Sequence, residues 1–375
     1  MIVTVLWERE LHQRGCHSAF VVGPDCVVLH ERHTRLVCLE RADGTVRWDV
    51  PIGTWPRGIV LAGDRVLVLP QTPSNLLSCI DLRTGASLWN TPTPRWTGNL
   101  TVHSDTVVIG GWRGYTPMSG LDLADGGVRW TTPSPVTSVP TLAWAGGVLT
   151  GNGHEAVLLD PADGSHLARW RLPDPLAGPD AKAFVPVDAE RVVAACEASS
   201  LVTFGIGKDQ PTRLGSYDPF WAVGYIHGSV WMMRSGRGFL AVDPTSGTSM
   251  WSLDADRRMV LDPLPYADGL LMGDANGGIR RLGPDGQIVA RCSLPGRRLD
   301  ALAAADDGAL FFAAKGTFGS FTLSPKALRP TTFAASTGAL PVRESTRQDP
   351  EEKAWPPAGP DVTAGGYLAG RHTAG

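Results

Sequence analysis

A tryptophan recurs along this chain at an almost constant interval. The series is Trp7, Trp48, Trp89, Trp130 and Trp170, with gaps of 41, 41, 41 and 40 residues, followed later by Trp251. Fixed self-similarity near 40 residues is typical of stacked or radial repeats, in which each repeat is one supersecondary unit. The interval therefore constrains the fold more than any single residue does.

Each repeat contains short apolar runs between turn residues and shows no helical period. One repeat predicts strands at 58–61, 65–69, 76–82 and 86–90, separated by turns and loops rich in Gly, Asp, Pro and Ser. Runs of this length between such residues are typical of strands. Four antiparallel strands per repeat predict the blades of a β-propeller.

The number of blades follows from where the pattern returns. It fits residues 18–50, 58–91, 99–132, 140–172, 183–216, 222–253 and 262–293, and residues 301–323 add three strands of an eighth blade. The strand at 3–10 carries Trp7 but lacks a blade of its own. We therefore predict an all-β, eight-bladed β-propeller of four-stranded antiparallel blades, closed by the N-terminal strand. Closure removes exposed sheet edges. Seven blades is the alternative if 183–216, with its degraded fourth strand, is not a full blade.

The regular tryptophans have a structural interpretation. An aromatic side chain at one position of every outer strand is expected to pack between neighbouring blades, since it buries a large area there. A direct role in ligand binding is the alternative.

The domain boundary is predicted near residue 325. Residues 1–325 form the propeller, whereas 326–375 leave the repeat pattern and are rich in Pro and Gly. With few apolar residues, this tail is expected to be disordered. The alternative is a partner-binding segment anchored by Trp355 and Tyr367.

Bulk properties limit the partners and the compartment. The formal net charge is −3, so no global attraction to nucleic acid or to an anionic membrane is expected. The N-terminus does not resemble a signal peptide, and no apolar run has the length of a membrane helix. The six cysteines are dispersed. Together these features predict a cytoplasmic protein with reduced thiols.

The repeated unit resembles that of pyrroloquinoline-quinone (PQQ) type propellers. The segments that carry the resemblance are 80–89, 121–130 and 242–251, each an apolar strand followed by Asp, a Gly turn and Trp. The resemblance covers about residues 1–325 and implies the fold. That superfamily holds quinoprotein dehydrogenases, a non-catalytic lipoprotein of outer-membrane assembly and many cytoplasmic proteins. This chain lacks the dehydrogenases' adjacent cysteines and an obvious calcium set, and it has no lipobox-like start. We therefore expect no cofactor and no metal.

Loops on one face of the ring concentrate arginine and aromatic residues. In a propeller blade, the loops between blades and the loops between strands two and three open on the same face. Loops on a rigid scaffold commonly carry binding residues, and arginine suits carboxylates and phosphates. The predicted ligand- or partner-binding residues are Trp55, Arg57, Arg95, Trp96, Trp112, Arg113, Tyr115, Trp221, Arg234 and Arg258. The alternative is that these are ordinary polar loop residues.

These observations predict a non-catalytic cytosolic binding or scaffold protein. Its Arg/Trp-rich loop face would hold a protein, a peptide or a small anionic ligand. The alternative is an enzyme with its site in the central channel, either a lyase or cyclase or, with less support, a quinone-dependent oxidoreductase. The candidate acid/base residues for that alternative are His154, Glu155, Glu197 and Asp274.

Overall fold

The protein is a ring of eight four-stranded antiparallel sheets, seen in a computed structural model. The structure describes residues 2–11, 20–31, 35–52, 56–70, 76–207, 210–217, 220–234, 238–254, 263–274, 276–294, 299–305, 307–314 and 316–324. The eight-bladed prediction is confirmed, and residues 183–216 form a complete blade. The predicted tail at 326–375 lies outside the described residues.

The blades are numbered in chain order, and within blades 1 to 7 each strand pairs with the next along the chain. The strands are β1 (Ile2–Glu10); blade 1, β2 (Phe20–Val22), β3 (Cys26–Glu31), β4 (Arg35–Glu40) and β5 (Val46–Pro51); blade 2, β6 (Pro56–Ala62), β7 (Arg65–Pro70), β8 (Leu76–Asp81) and β9 (Ser87–Pro92); blade 3, β10 (Leu100–His103), β11 (Thr106–Gly110), β12 (Met118–Asp122) and β13 (Val128–Thr131); blade 4, β14 (Leu142–Trp144), β15 (Gly147–Asn152), β16 (Glu155–Leu159) and β17 (His166–Arg171).

The second half of the ring follows the same order. Its elements are blade 5, β18 (Phe184–Pro186), β19 (Arg191–Ala195), a 3-10 turn (Glu197–Ser199), β20 (Ser200–Gly205) and β21 (Thr212–Ser216); blade 6, β22 (Phe220–Ile226), β23 (Ser229–Arg234), β24 (Gly238–Val242) and β25 (Ser249–Asp254); blade 7, β26 (Leu264–Tyr266), β27 (Gly269–Gly273), β28 (Gly278–Leu282) and β29 (Ile288–Ser293); and blade 8, β30 (Leu299–Ala304), β31 (Leu310–Ala314) and β32 (Thr317–Ser324) with β1. First strands of neighbouring blades contact each other, which places them around the central axis.

The ring closes through β1, the fourth strand of blade 8. It pairs antiparallel with β32 from Ile2↔Ser324 to Glu10↔Thr317. An ion pair adds to this closure, since Arg41 of blade 1 donates to Asp307 of blade 8 at 2.6 Å. Closure by the N-terminal strand is therefore confirmed.

The core lies between the blades because both faces of the middle strands are buried. In β7, Val66 and Val68 pack against blade 1, whereas Leu67 and Leu69 pack against blade 3. Successive side chains of a strand point to opposite faces, so an unbroken apolar run can serve two interfaces at once. This accounts for the apolar runs that lack polar alternation in the sequence.

The regular tryptophans connect each blade to the next. Trp48 Nε1 donates to the Leu82 carbonyl of blade 2 at 2.8 Å, and its ring lies against Gly85 in the turn between strands three and four of that blade. A Cβ added at Gly85 would lie 2.8 Å from the Trp48 ring. The same donation runs from Trp7 to Arg41 (2.8 Å), Trp89 to Leu123 (3.0 Å), Trp130 to Pro161 (2.8 Å), Trp170 to Gly205 (3.2 Å) and Trp251 to Pro284 (2.9 Å). These contacts between blades are called tryptophan junctions below.

Two junctions lack a tryptophan. In blade 5, Leu214 stands in its place, and the Tyr217 hydroxyl donates instead to the Gly247 carbonyl of blade 6 at 2.7 Å. In blade 7, Arg291 takes the position. Blade 8 has no turn between its third and fourth strands, because β32 and β1 come from opposite ends of the described chain. The seat that a tryptophan would occupy is therefore missing.

Acid should weaken the ring because many turn carboxylates have a depressed pKa. Hydrogen bonds from Arg129 lower the pKa of Asp105 to about 2. A carboxyl whose folded pKa lies below the unfolded value of about 3.9 stabilises the fold above that pH. Its contribution is lost as the pH falls towards the folded value. We expect Asp105→Asn to lower the melting temperature by about 1–3 °C at pH 7, as for an exposed ion pair. The difference from wild type should be much smaller at pH 2, where Asp105 is about half protonated. An equal difference at both pH values would contradict this.

Candidate functional site

Five of the predicted binding residues meet on one face of the ring. Arg57 is the second residue of β6, and Trp96 lies in the loop between blades 2 and 3. Trp112, Arg113 and Tyr115 lie between β11 and β12. Their side chains contact one another, and Asp180 from the loop between blades 4 and 5 joins them. We call these six residues the aromatic–arginine cluster. Its residues come from several blades, so the cluster forms a surface that spans neighbouring blades on one face of the ring.

Three aromatic rings form its centre. Ring centroids lie 6.4 Å apart for Trp96 and Trp112, 6.1 Å for Trp96 and Tyr115, and 5.5 Å for Trp112 and Tyr115. Trp112 is buried, whereas Trp96 and Tyr115 are exposed. Tilted and edge-on contacts of this kind are favourable beyond the area that they bury. Trp112 therefore supports the two rings that face solvent.

Two guanidinium groups lie over Trp112. Cζ of Arg57 is 3.5 Å from the centroid of the Trp112 ring, and Cζ of Arg113 is 4.7 Å from it. Gly98 makes the first approach feasible, since a Cβ there would lie 2.3 Å from Trp112 Cβ and 3.0 Å from Arg57 Nε. Stacking of a cation on an indole face is attractive, more so when partly desolvated. The arginines thus extend the aromatic stack with positive charge.

Asp180 fixes the position of Trp112 and Arg113. Trp112 Nε1 donates to Asp180 Oδ1 at 2.7 Å, and Arg113 Nε donates to Oδ2 at 3.1 Å, with a second bond from Arg113 Nη2 to the same oxygen. Burial alone would raise the pKa of Asp180, but hydrogen bonds from Arg113 and then Trp112 leave it below its ordinary value. Asp180 is therefore ionised at neutral pH. Nothing in the repeat pattern signalled this residue.

The backbone beneath the cluster is held in uncommon conformations. The φ angles are +62° at Trp96, +55° at Asn99 and +50° at Arg113. Non-glycine residues seldom adopt this left-handed region, and surrounding contacts must hold them there. Two backbone hydrogen bonds do so, from Gly110 N to Gly98 O at 2.6 Å and from Ser138 N to Gly111 O at 2.7 Å. The exposed rings are thus displayed by a fixed frame.

Arg95 is the one other predicted binding residue whose side chain the structure describes. Arg95 is exposed next to Trp96. Trp221 and Arg234 belong to β22 and β23, but their side chains are outside the described part of the structure, as are Trp55 and Arg258 entirely.

Three of the four candidate catalytic residues have separate side-chain partners. His154 Nδ1 lies 3.1 Å from the Leu172 carbonyl, and Glu155 pairs with Arg169 at 3.2 Å. Exposed Glu197 begins the 3-10 turn. Asp274 is buried, and Oδ1 accepts from the backbone N of Asn276 at 2.8 Å and of Gly278 at 3.0 Å. These contacts give His154, Glu155 and Asp274 structural roles.

Within the described ranges, no group of three or more His, Cys, Asp or Glu side chains could hold a metal ion. No helix in the same ranges has the length and hydropathy to span a membrane. Five cysteines of the described chain, Cys26, Cys38, Cys79, Cys196 and Cys292, are free thiols.

The ring and its repeat define an eight-bladed β-propeller. A family model described as outer membrane protein assembly factor BamB matches residues 73–208. The curated proteins contain no match to the chain. The resemblance to PQQ-type propellers is confirmed at the level of fold.

Solved structures share the fold at low sequence identity. BamB from Moraxella catarrhalis is 18% identical, with a TM-score of 0.68 over 86% of this chain and 100% of that one. The computationally designed Ika8 protein is 14% identical, with a TM-score of 0.64 over 85% and 99%. The quinohemoprotein alcohol dehydrogenase ADHIIG from Pseudomonas putida HK5 is 14% identical, with a TM-score of 0.60 over 88% and 78%. The same ring thus occurs in an assembly factor, a designed protein and an oxidoreductase.

Proposed function

We propose that this propeller is a binding protein that holds a protein partner on the aromatic–arginine cluster. One observation carries the proposal. The side chains of Trp96 and Tyr115 are exposed to solvent and pack on the buried ring of Trp112, which a hydrogen bond to Asp180 holds in place. Tryptophan, tyrosine and arginine are the residues that most often dominate binding energy at protein interfaces. The cluster combines all three on one face.

Preorganisation supports the same proposal. The left-handed backbone at Trp96 and Arg113 costs stability, and the fold maintains it through backbone hydrogen bonds across loops. Exposed side chains that are already ordered lose less entropy when a partner docks. The ordered backbone under the cluster therefore supports a role in binding more than the alternative that these are ordinary polar loop residues.

The relatives support protein partners only in a coarse way. The family model and one similar structure carry the name of an assembly factor for outer membrane proteins. Our proposal for this chain includes a cytoplasmic location, in line with its free thiols. The enzyme alternative has weaker support, because Glu155 is paired with Arg169 and Asp274 caps its own turn.

Affinity capture with matched variants tests the proposal. The double variant Trp96→Ala/Tyr115→Ala removes the two exposed rings, which are 47% and 54% exposed. Leu88→Ala/Leu167→Ala removes two side chains of outer strands that are 45% and 51% exposed. We expect a partner captured from cells of the source organism to bind at least about tenfold more weakly to the first variant, as for two interface hot spots. The control variant should bind like wild type.

Two outcomes would count against the proposal. One is that every captured protein is lost equally from both double variants. The other is that capture depends only on residues 341–375, which a truncation at residue 340 tests separately. Unfolding curves of each variant exclude misfolding as the cause.

A further inference from the structure

Arg57 differs from the other arginine of the aromatic–arginine cluster. Arg113 is paired with Asp180, whereas Arg57 has no hydrogen bond or ion pair with any described residue and contacts the Trp112 ring instead. Burial lowers the pKa of the Arg57 guanidinium, with the attraction of Asp180 a smaller, opposing influence. An arginine remains protonated at neutral pH even so. The fold therefore keeps a half-buried cation whose N–H groups donate to none of the described residues.

Asp180 is not available to pair with Arg57. Its Oδ1 accepts from Trp112 Nε1, and its Oδ2 accepts from Arg113. The pair Arg113–Asp180 is neutral as a unit, so Arg57 supplies one net positive charge to the cluster. A desolvated charge without a partner is costly, which makes an incoming anion favourable at this point.

We infer that the partner inserts the carboxylate of an Asp or Glu side chain against Arg57, with a neighbouring apolar side chain on Trp96 and Tyr115. The inference rests on the proposed function and specifies the peptide that the site recognises. A guanidinium matches a carboxylate with two parallel hydrogen bonds. Exposed aromatic rings beside it bury the apolar neighbour.

Charge argues for a carboxylate over a nucleic-acid backbone. One net positive charge suits a single carboxylate, whereas Asp180 would repel a chain of phosphates. Nucleic-acid binding depends on many phosphate contacts, and the net charge of this protein is −3. An acidic and apolar peptide segment of a protein is therefore the occupant.

Selection from a random peptide library tests this inference on the full-length protein. Peptides displayed on phage are selected on wild type, and those that need Trp96 and Tyr115 are identified by binding to the Trp96→Ala/Tyr115→Ala variant. We expect these peptides to share an Asp or Glu next to an apolar residue. The strongest is then synthesised with its acidic residue intact and changed to the amide.

The two peptides are titrated against wild type, Arg57→Met and Arg171→Met. The amide should bind wild type about 10-fold more weakly than the acid, as for loss of a charge-assisted hydrogen bond. The two should bind Arg57→Met within about twofold of each other. Arg171 is exposed in β17, so its variant lowers the net charge equally and should behave like wild type. Arg57→Lys should give an intermediate preference, which guards against misfolding of the Met variant.

The possible failures are distinguishable. Peptides that need Trp96 and Tyr115 but bind equally well as acid and amide would overturn the inference and leave the proposed function standing. Displacement of the acidic peptide by a single-stranded oligonucleotide at lower concentration would assign the site to phosphodiesters and also overturn it. If no selected peptide depends on the two rings, the inference and the proposed function both fail.

Discussion

Deletion of residues 1–10 should prevent the protein from forming a stable monomeric ring. The deletion removes β1, which closes blade 8, and with it the tryptophan junction from Trp7 to Arg41. It also leaves the edge of β32 open, including the fully buried Phe318 and Phe321. Loss of a packed tryptophan alone costs about 3–5 kcal/mol, which is comparable with the roughly 5–15 kcal/mol that stabilises a typical domain. We expect aggregation or a melting temperature lowered by at least about 10 °C.

Addition of the missing strand in trans is the control for this deletion. A synthetic peptide of residues 1–10 should raise the melting temperature of the truncated protein as its concentration rises, because it binds only the folded form. The variant Val5→Ser/Leu6→Ser changes outward side chains that are 41% and 54% exposed, so it should melt close to wild type. A truncated protein that stays monomeric and melts within a few degrees of the full chain would show that β1 does not close the ring.

Replacement of Gly85 by alanine should cost about 2–5 kcal/mol of unfolding free energy. Two effects add. The backbone at Gly85 has φ +74°, which costs an alanine about 1–2 kcal/mol. The new Cβ would also lie 2.8 Å from the Trp48 ring, and relief of such overpacking costs about 1–3 kcal/mol. The junction between blades 1 and 2 must therefore shift.

Gly63 separates the two effects. It also has a positive φ, +59°, but a Cβ there would meet nothing within 4 Å. Gly63→Ala should therefore cost only the conformational part, about 1–2 kcal/mol. Urea unfolding of both variants gives the two free energies directly. Equal losses would mean that the contact with Trp48 is not a tight one.

The fold was readable from the sequence because the tryptophan period reports a contact that every blade repeats. The glycine that contacts a tryptophan also follows it at a regular spacing, but the structure was needed to show the contact. Trp7 and Gly44, Trp48 and Gly85, and Trp89 and Gly126 are each separated by 37 residues. The sequence pattern suggested that tryptophans pack between blades. The structure adds that the rings of all the junction tryptophans except Trp170 lie against a glycine of the following blade.

The candidate site was readable only in part. Which loops share a face follows from propeller topology, and this brought Arg57, Trp96 and Trp112 together correctly. The contact of Asp180 with Trp112 spans 68 residues and depends on the path of one loop, which no local pattern encodes. Position along the chain does not show burial either, since Trp112 lies in a loop yet is covered by its neighbours. The binding role of these residues stays a prediction.

The two junctions without a tryptophan divide the ring into unequal arcs. Blades 8, 1, 2, 3, 4 and 5 are joined in succession by Trp7, Trp48, Trp89, Trp130 and Trp170, and blades 6 and 7 are joined by Trp251. The arcs meet between blades 5 and 6 and between blades 7 and 8. Separation of the blades at these two places breaks no tryptophan junction. We therefore expect blades 6 and 7 to open together, as cooperative units do in sub-global opening. The aromatic–arginine cluster lies wholly within the long arc, which is formed by blades 8 and 1 to 5. Opening of blades 6 and 7 would therefore leave the geometry of the cluster intact.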